Sequence, residues 1–92
     1  MDLRLRDKKV FVSGGSRGIG FGIAKKFVEE GAKVVINSRN KNELELATSK
    51  LRNCNSVTGD VSDPNVVEAI IAKAAEILGG IDVLVCTTII ES

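Results

Sequence analysis

Short apolar runs alternate along the chain with longer segments in which apolar residues recur every three to four positions. Short runs rich in β-branched residues are typical of buried strands, and the longer spacing is typical of helices that bury one face. Three such periodic segments separate the runs and predict the element order βαβαβαβ. The predicted strands are 9–13 (KVFVS), 33–37 (KVVIN), 54–58 and 81–86 (IDVLVC).

The first two predicted helices have clear boundaries. Apolar positions from 19 to 28 predict the first helix, and Gly31 ends it because glycine adopts a left-handed conformation without a Cβ clash. Asn40 opens the second helix, with Glu43 three residues later as its partner in a capping box. The apolar face of this helix contains Leu44, Ala47 and Leu51.

The third predicted helix starts at Asp63, whose carboxylate caps unpaired amides, and Pro64 follows at the first helical position. Gly79-Gly80 ends it. Except for the weak strand 54–58, the strands read as continuous β-branched runs and not as alternating ones, which favours a parallel sheet covered by helices on both faces. Right-handed crossovers then give the strand order 3-2-1-4. The sequence therefore predicts an α/β fold of the Rossmann type, a doubly wound parallel sheet in a single domain over 1–92.

Composition excludes several classes of partner. The 13 basic and 12 acidic residues give a net charge of +1, and the only aromatic residues are three Phe, so we expect no nucleic-acid partner. No stretch has the apolar length of a membrane span, and the amino-terminal segment lacks the apolar core of a signal peptide. We therefore expect no membrane partner and a cytoplasmic location.

Histidine is absent, and this decides between two meanings of one motif. Residues 14–18 (GGSRG) match G-x-S-x-G, the nucleophile elbow of the α/β-hydrolases, which follows a strand and opens a helix. That chemistry needs an imidazole to take the proton of the serine, so Ser16 is not expected to be a nucleophile. With two cysteines and no histidine, we also expect no ordinary zinc site.

The two cysteines are predicted to be reduced core thiols. The strand order places Cys54 and Cys86 on the two outer strands, roughly 14 Å apart or more. An intrachain disulfide is therefore not expected, because it tolerates a Cα separation of at most about 7 Å.

The glycines after the first strand indicate a phosphate-binding turn. The G-x-G-x-x-G fingerprint fails, because Ile23 stands at its third glycine, and no Lys-Ser/Thr pair completes a P-loop. The run Ser13-Gly14-x-x-x-Gly18-Ile19-Gly20 instead resembles the T-G-x-x-x-G-I-G turn of the short-chain dehydrogenase/reductase family. In such turns the helix start meets a pyrophosphate with the positive end of its dipole. The alternative is a tight turn without a ligand.

The resemblance also implies which cofactor is bound. At the end of the second strand, Ser38-Arg39 stands where NAD-binding proteins usually carry an acidic residue. Arginine suits the 2′-phosphate of NADP, and Arg17 is a second basic position near it. Each arginine alone could be a solvated surface charge, but together they predict NADP(H) in preference to NAD(H).

Residues 59–61 (GDV) resemble the family's Asp-Val pair, in which the carboxylate accepts from the adenine amino group and the next amide donates to the ring. Asp60 could otherwise simply end its strand. The predicted cofactor-binding residues are Gly14, Ser16, Arg17, Gly18, Ile19, Gly20, Ser38, Arg39, Asp60 and Val61.

The resemblance covers only the first half of a family member, so residues 1–92 represent a partial dinucleotide-binding Rossmann domain. Where the family carries N-N-A-G, positions 86–89 read Cys-Thr-Thr-Ile. The family's catalytic serine, tyrosine and lysine lie downstream, and the sequence contains no tyrosine, so no catalytic residue is assigned. Two functions remain open: part of an NADP-dependent oxidoreductase acting on a carbonyl or alcohol, or an inactive nucleotide-binding or assembly module.

The last predicted strand also suggests an interface. Residues 81–90 are apolar, with Asp82 as the only charge, and would form an unpaired edge of the sheet. Such an edge is a template for another strand. We therefore expect a homo-oligomer through this edge, or pairing with the missing remainder of the enzyme.

Overall fold

A computed structural model describes residues 6–14 and 18–86. These residues form the predicted sequence of strands and helices. The elements are β1 (Lys9–Ser13), α1 (Gly18–Glu29), β2 (Lys33–Ser38), α2 (Lys41–Ser49), β3 (Cys54–Thr58), α3 (Val67–Leu78) and β4 (Val83–Cys86). Of the predicted edge strand, positions 87–90 lie outside the described residues.

The strands form one parallel sheet in the order β3-β2-β1-β4, which confirms the predicted order. Their carboxyl ends share one edge of the sheet. There Ser13 is aligned with Asn37 of β2 and Cys86 of β4, and Asn37 is aligned with Val57 of β3. The loops that follow β1, β2 and β3 therefore leave the sheet side by side.

Helices cover both faces of the sheet, so the predicted doubly wound α/β architecture is confirmed. Alternate residues of each central strand point to opposite faces, and both faces of β1 and β2 are apolar. On the face covered by α1 and α2, the buried strand and helix residues are Val10, Val12, Val34, Ile36, Ala24, Leu44 and Ala47. On the face covered by α3 they are Phe11, Val35, Ile70, Ala74 and Leu78.

The predicted start of α2 is confirmed. Asn40 Oδ1 accepts from the Glu43 amide at 3.1 Å, and Asn40 Nδ2 lies 3.4 Å from Glu43 Oε2. Gly79 also ends α3 as predicted, with φ of 82° in the left-handed region. Local signals were sufficient at these two positions because each partner lies within one helical turn.

Helix α3 starts later than predicted, at Val67 instead of directly after Asp63. Asp63 Oδ1 accepts from the Asn65 amide at 2.8 Å, and the Asp63 carbonyl accepts from the amides of Val66 and Val67. The carboxylate therefore caps a turn that leads into the helix. Within the helix proper the capping position is Val66, which makes no side-chain cap.

Strand β4 begins at Val83, whereas the apolar run predicted a start at 81. Asp82 Oδ2 accepts from the Lys9 amide at 2.9 Å, and the Asp82 amide donates to the Lys9 carbonyl at 2.7 Å. The Asp82 carboxylate thus binds the amino end of β1. It is not a charge standing on the strand edge, as the sequence suggested.

The prediction of core thiols is wrong for Cys86, which is exposed at the carboxyl end of β4. Cys54 is half-buried against the core beneath α1 and α2, and burial raises its pKa to about 11. Neither Cys54 nor Cys86 forms a disulfide with another described residue. Cys86 lies on the same face of β4 as Leu84, which is 58% exposed, so the described helices leave this face of the outer strand uncovered.

The helices in the described ranges are short, with 12 residues each in α1 and α3. In that part of the chain, no helix combines the length and the apolar character needed to cross a membrane. Within residues 6–14 and 18–86, the cysteine and carboxylate side chains form no group of three or more that could hold a metal ion.

Candidate functional site

The candidate site lies at the carboxyl edge of the sheet. In open α/β sheets, ligands bind outside the carboxyl ends of the strands, where the strand order reverses. Here the order reverses at β1, which pairs with β2 on one side and β4 on the other. The predicted site residues come from the three loops after β1, β2 and β3, and the sheet brings these loops to one edge.

The first loop is the glycine turn between β1 and α1. Gly14 has φ of 72°, and its amide donates to the Asn37 carbonyl of β2 at 2.7 Å. Gly18, at the first position of α1, has φ of 62°. Both conformations favour glycine and turn the chain sharply out of the sheet. Ser16 and Arg17, two of the predicted cofactor contacts, lie outside the described residues.

The start of α1 is open and carries no acidic residue in its first turn. Gly18 and Ile19 are exposed, and a Cβ built on Gly18 would meet no atom within 4 Å. The first amides of a helix have no partner inside it, and they carry the positive end of the helix dipole. This helix start therefore suits an anionic group. Gly20 is buried on the same side of α1 as Ala24, so it packs the helix against the sheet.

The second loop contains Ser38 and Arg39. Ser38 ends β2, its carbonyl accepts from the Gly59 amide at 2.9 Å, and its hydroxyl accepts from the Asn40 amide at 3.2 Å. These bonds fix the backbone on either side of Arg39. The Arg39 side chain is exposed at the point where the chain leaves the sheet.

The third loop contains Asp60, whose carboxylate is held by its own neighbour. Asp60 Oδ1 accepts from the Ser62 hydroxyl at 2.6 Å and from the Ser62 amide at 2.9 Å. These two bonds, with a contribution from the positive charge of Arg39, hold the pKa of Asp60 below its ordinary value. Asp60 is therefore ionised at neutral pH, and an ionised carboxylate is an acceptor only.

The structure thus brings together two residues that the sequence predicted separately. Arg39 follows β2 and Asp60 follows β3, and their charges are close enough to interact. Val61, the next predicted contact, is half-buried and packs against the core beneath α3. A ligand at this edge would meet a cation and a carboxylate from neighbouring loops.

Sequence reasoning missed the role of Asn37, which appeared there only as the last residue of the predicted strand 33–37. Asn37 is 1% exposed, and its Nδ2 donates to the carbonyls of Val57 at 2.8 Å and Gly59 at 3.1 Å. The available signal was one amide side chain at the end of an otherwise apolar strand. Its partners, 20 and 22 positions away, could not be read from the sequence.

Comparison with known proteins agrees with this geometry. Residues 8–91 match the short chain dehydrogenase family, so the chain belongs to that family and the predicted resemblance is confirmed. Membership implies a nicotinamide dinucleotide as the cofactor of the family.

Three known proteins show how far the similarity extends. The chain is 40% identical to glucose 1-dehydrogenase of Gluconobacter oxydans over 90% of its own length and 33% of the relative. It is 39% identical to the human mitochondrial dehydrogenase/reductase SDR family member 2, over 90% of this chain and 31% of the other. A crystal structure of a short chain dehydrogenase from Bacillus anthracis superimposes with a TM-score of 0.84 at 34% identity, over 91% of this chain and 36% of that one. The chain therefore spans about a third of the length of these relatives.

Proposed function

We propose that this chain is the cofactor-binding part of an NADP(H)-dependent oxidoreductase that moves a hydride between nicotinamide and a carbonyl or alcohol. The observation that carries the proposal is the position of Arg39, exposed directly after β2, at the same edge of the sheet as Asp60, which follows the paired strand β3. An acidic residue after β2 would favour the ribose 2′-hydroxyl of NAD, and arginine favours the 2′-phosphate of NADP.

The glycine turn would hold the pyrophosphate. Gly14 and Gly18, at the two ends of this turn, both have a positive φ, and the space beside Gly18 is open, so neither residue presents a Cβ to an approaching anion. No carboxylate in the first turn of α1 opposes the charge. Gly20, which is buried in α1, would support this arrangement indirectly, because it allows α1 to pack closely against the sheet.

The loop after β3 would hold the adenine. Asp60 uses Oδ1 for Ser62, and the remaining lone pairs of its ionised carboxylate are suited to accept from the adenine amino group. The Val61 amide would donate to a ring nitrogen. Half-buried Val61 anchors this loop to the core, so the two contacts keep a fixed spacing.

Arg39 would bind the 2′-phosphate, with Ser38 beside it; Arg17, which lies outside the described residues, is the second predicted basic contact. A guanidinium offers several donors in one plane, which match the oxygens of a phosphate. The nicotinamide, when bound, supplies or accepts the hydride. The residues of this chain bind and orient the cofactor, and none of them is assigned the acid/base role.

The test is a calorimetric titration of NADP⁺ and NAD⁺ against the full chain and its Arg39→Ala variant. A charge-assisted hydrogen bond contributes about 1.5–3 kcal/mol, so the variant should bind NADP⁺ roughly 10- to 150-fold more weakly. Its affinity for NAD⁺ should hardly change. Arg52→Ala is the matched control, because Arg52 is also exposed but precedes β3 at the opposite edge of the sheet. Equal losses for both cofactors would contradict the assignment of the 2′-phosphate to Arg39.

A second candidate function is a catalytically inactive nucleotide-binding or assembly module. The exposed Leu84 on outer strand β4 favours assembly, since an apolar edge strand pairs readily with another chain. This module would form a homo-oligomer through β4 and bind no substrate. A cytoplasmic location is part of both proposals, and imaging of a tagged full-length protein tests it.

A further inference from the structure

One buried residue, Asn37, is hydrogen-bonded to the glycine turn through its backbone and to the end of β3 through its side chain. Asn37 lies in β2, and its backbone carbonyl accepts from the backbone amide of Gly14 in the glycine turn at 2.7 Å. Its Nδ2 donates to the carbonyls of Val57 and Gly59, at the end of β3. Gly59 directly precedes Asp60, and Asn37 itself lies two positions before Arg39.

The chemistry of the partners requires a hydrogen-bond donor at this position. Carbonyl oxygens only accept hydrogen bonds, so the nitrogen of the Asn37 side chain must face Val57 and Gly59. The side chain is almost completely removed from water, and an unpaired buried donor or acceptor is costly. An oxygen in place of Nδ2 would face two carbonyl oxygens, and the end of β3 would be pushed away from β2.

We infer that Asn37 is a positioning residue for the cofactor: its side-chain amide holds the adenine-binding loop at a fixed distance from β2, to which the pyrophosphate turn is bonded through the Asn37 backbone carbonyl. This inference rests on the proposed function. Asn37 does not touch the cofactor. It acts through the backbone of Gly14 on one side and Gly59 on the other, so a shift of its donor would move Asp60 and Val61 relative to the start of α1.

Asn37→Asp is the informative variant, because the two side chains have the same shape and differ in whether they can donate. The ionised carboxylate would repel both carbonyls, and the protonated form could donate to one of them. Burial raises the pKa of such a carboxyl, so the donor should return as the pH falls. Asp60 stays ionised through this range because its pKa is lowered.

The probe is adenosine 2′,5′-bisphosphate, titrated against the full chain from about pH 8 to about pH 5.5. At each pH the dissociation constant of the variant is divided by that of the wild type, which cancels the titration of the ligand's own phosphates. Asn55→Asp is the matched control, since Asn55 is exposed on β3 and the change of charge is the same. Two lost hydrogen bonds predict a ratio of about 10 or more at the highest pH for Asn37→Asp, and near 1 for the control.

The ratio for Asn37→Asp should fall several-fold as the pH is lowered. A ratio near 1 throughout, or a deficit that stays constant with pH in a folded variant, would overturn the inference. If Asn37→Asp does not fold, Asn37→Ser replaces it: a hydroxyl keeps one donor without charge and should weaken binding by about fivefold at every pH. Binding by Asn37→Ser equal to that of the wild type would also overturn the inference. A wild-type chain that does not bind the probe would instead count against the proposed function.

Discussion

Gly59 lies directly against Ile70: a Cβ at position 59 would stand 2.6 Å from Ile70 Cδ1 and 2.9 Å from Ile70 Cγ1. Ile70 is 4% exposed in the core beneath α3, so its side chain has little room to turn away. The loop that carries Asp60 therefore lies so close to α3 that position 59 has no room for a side chain.

Replacement of Gly59 by alanine should lower the free energy of unfolding by about 1–3 kcal/mol, because the added methyl overpacks the core. The positive φ of 154° adds strain. Chemical denaturation of the variant measures the change. The control is Gly22→Ala in α1, where an added Cβ meets no atom within 4 Å. The free energy of unfolding of this control should rise by about 0.5–1 kcal/mol, because alanine favours a helix over glycine.

A double variant isolates the contact with Ile70. Ile70→Val removes Cδ1, so Gly59→Ala combined with Ile70→Val should be less destabilised than the sum of the two single changes. If the two effects simply add, the contact with Ile70 Cδ1 contributes nothing to the cost at position 59.

The cap of α2 predicts a second change in stability. Asn40→Ala removes the acceptor for the Glu43 amide and should cost about 1 kcal/mol. Asn42→Ala, inside the same helix and exposed, removes an amide without a capping role. It should be neutral or slightly stabilising, since alanine favours helices. Urea denaturation of both variants compares them, and equal losses would mean that the cap contributes nothing.

The Ser62 hydroxyl controls the titration of Asp60. Ser62→Ala removes the first of the bonds that lower the pKa of Asp60, so this pKa should rise toward its ordinary value. Ser49→Ala, which removes a hydroxyl bonded to the Leu46 carbonyl, should leave it unchanged. Carboxyl-carbon NMR titration measures both. A pKa of Asp60 that does not respond to Ser62→Ala would contradict this assignment.

The direction of the pH effect on stability follows from the same carboxylate. A folded-state pKa below the unfolded value stabilises the fold above the unfolded pKa. This contribution is lost as the pH falls through the lowered folded value. Ser62→Ala should therefore shift the onset of acid unfolding to higher pH, and the wild type and Ser49→Ala should unfold at the same lower pH.

Outer strand β4 predicts the state of assembly. If a second copy pairs along this edge, Leu84→Lys should shift the chain toward monomers, because a charge on an edge strand opposes pairing. Light scattering at micromolar protein concentration measures the mass. Leu46→Lys is the control, since Leu46 is equally exposed but lies on α2. A stable monomer in the wild type would exclude assembly through β4.

Much of the fold could be predicted because its signals are local. The run KVVIN gave β2 within one residue, and Asn40 with Glu43 gave the start of α2. The start of α3 was placed too early, because the carboxylate of Asp63 caps a turn as readily as a helix. The start of β4 was also placed too early, since the bond between Asp82 and Lys9 joins residues 73 positions apart.

The candidate site shows the same division. Glycine spacing and the position of Arg39 after a strand were visible in the sequence, and so was Asp60 after β3. That Arg39 and Asp60 lie at the same edge of the sheet could not be read from the sequence, because it depends on the pairing of β2 with β3. Asn37 could not be recognised, because a single amide in an apolar run has no meaning until its acceptors on another strand are known.

The central place of β1 sets an order for folding during synthesis. Its partner β2 leaves the ribosome soon after it, but its other partner, β4, is made only after β2, α2, β3 and α3. Until then one side of β1 keeps unpaired backbone groups next to apolar Phe11 and Val12. A nascent chain that has made α3 but not residues 83–86 therefore still exposes one side of β1 to pairing with other strands.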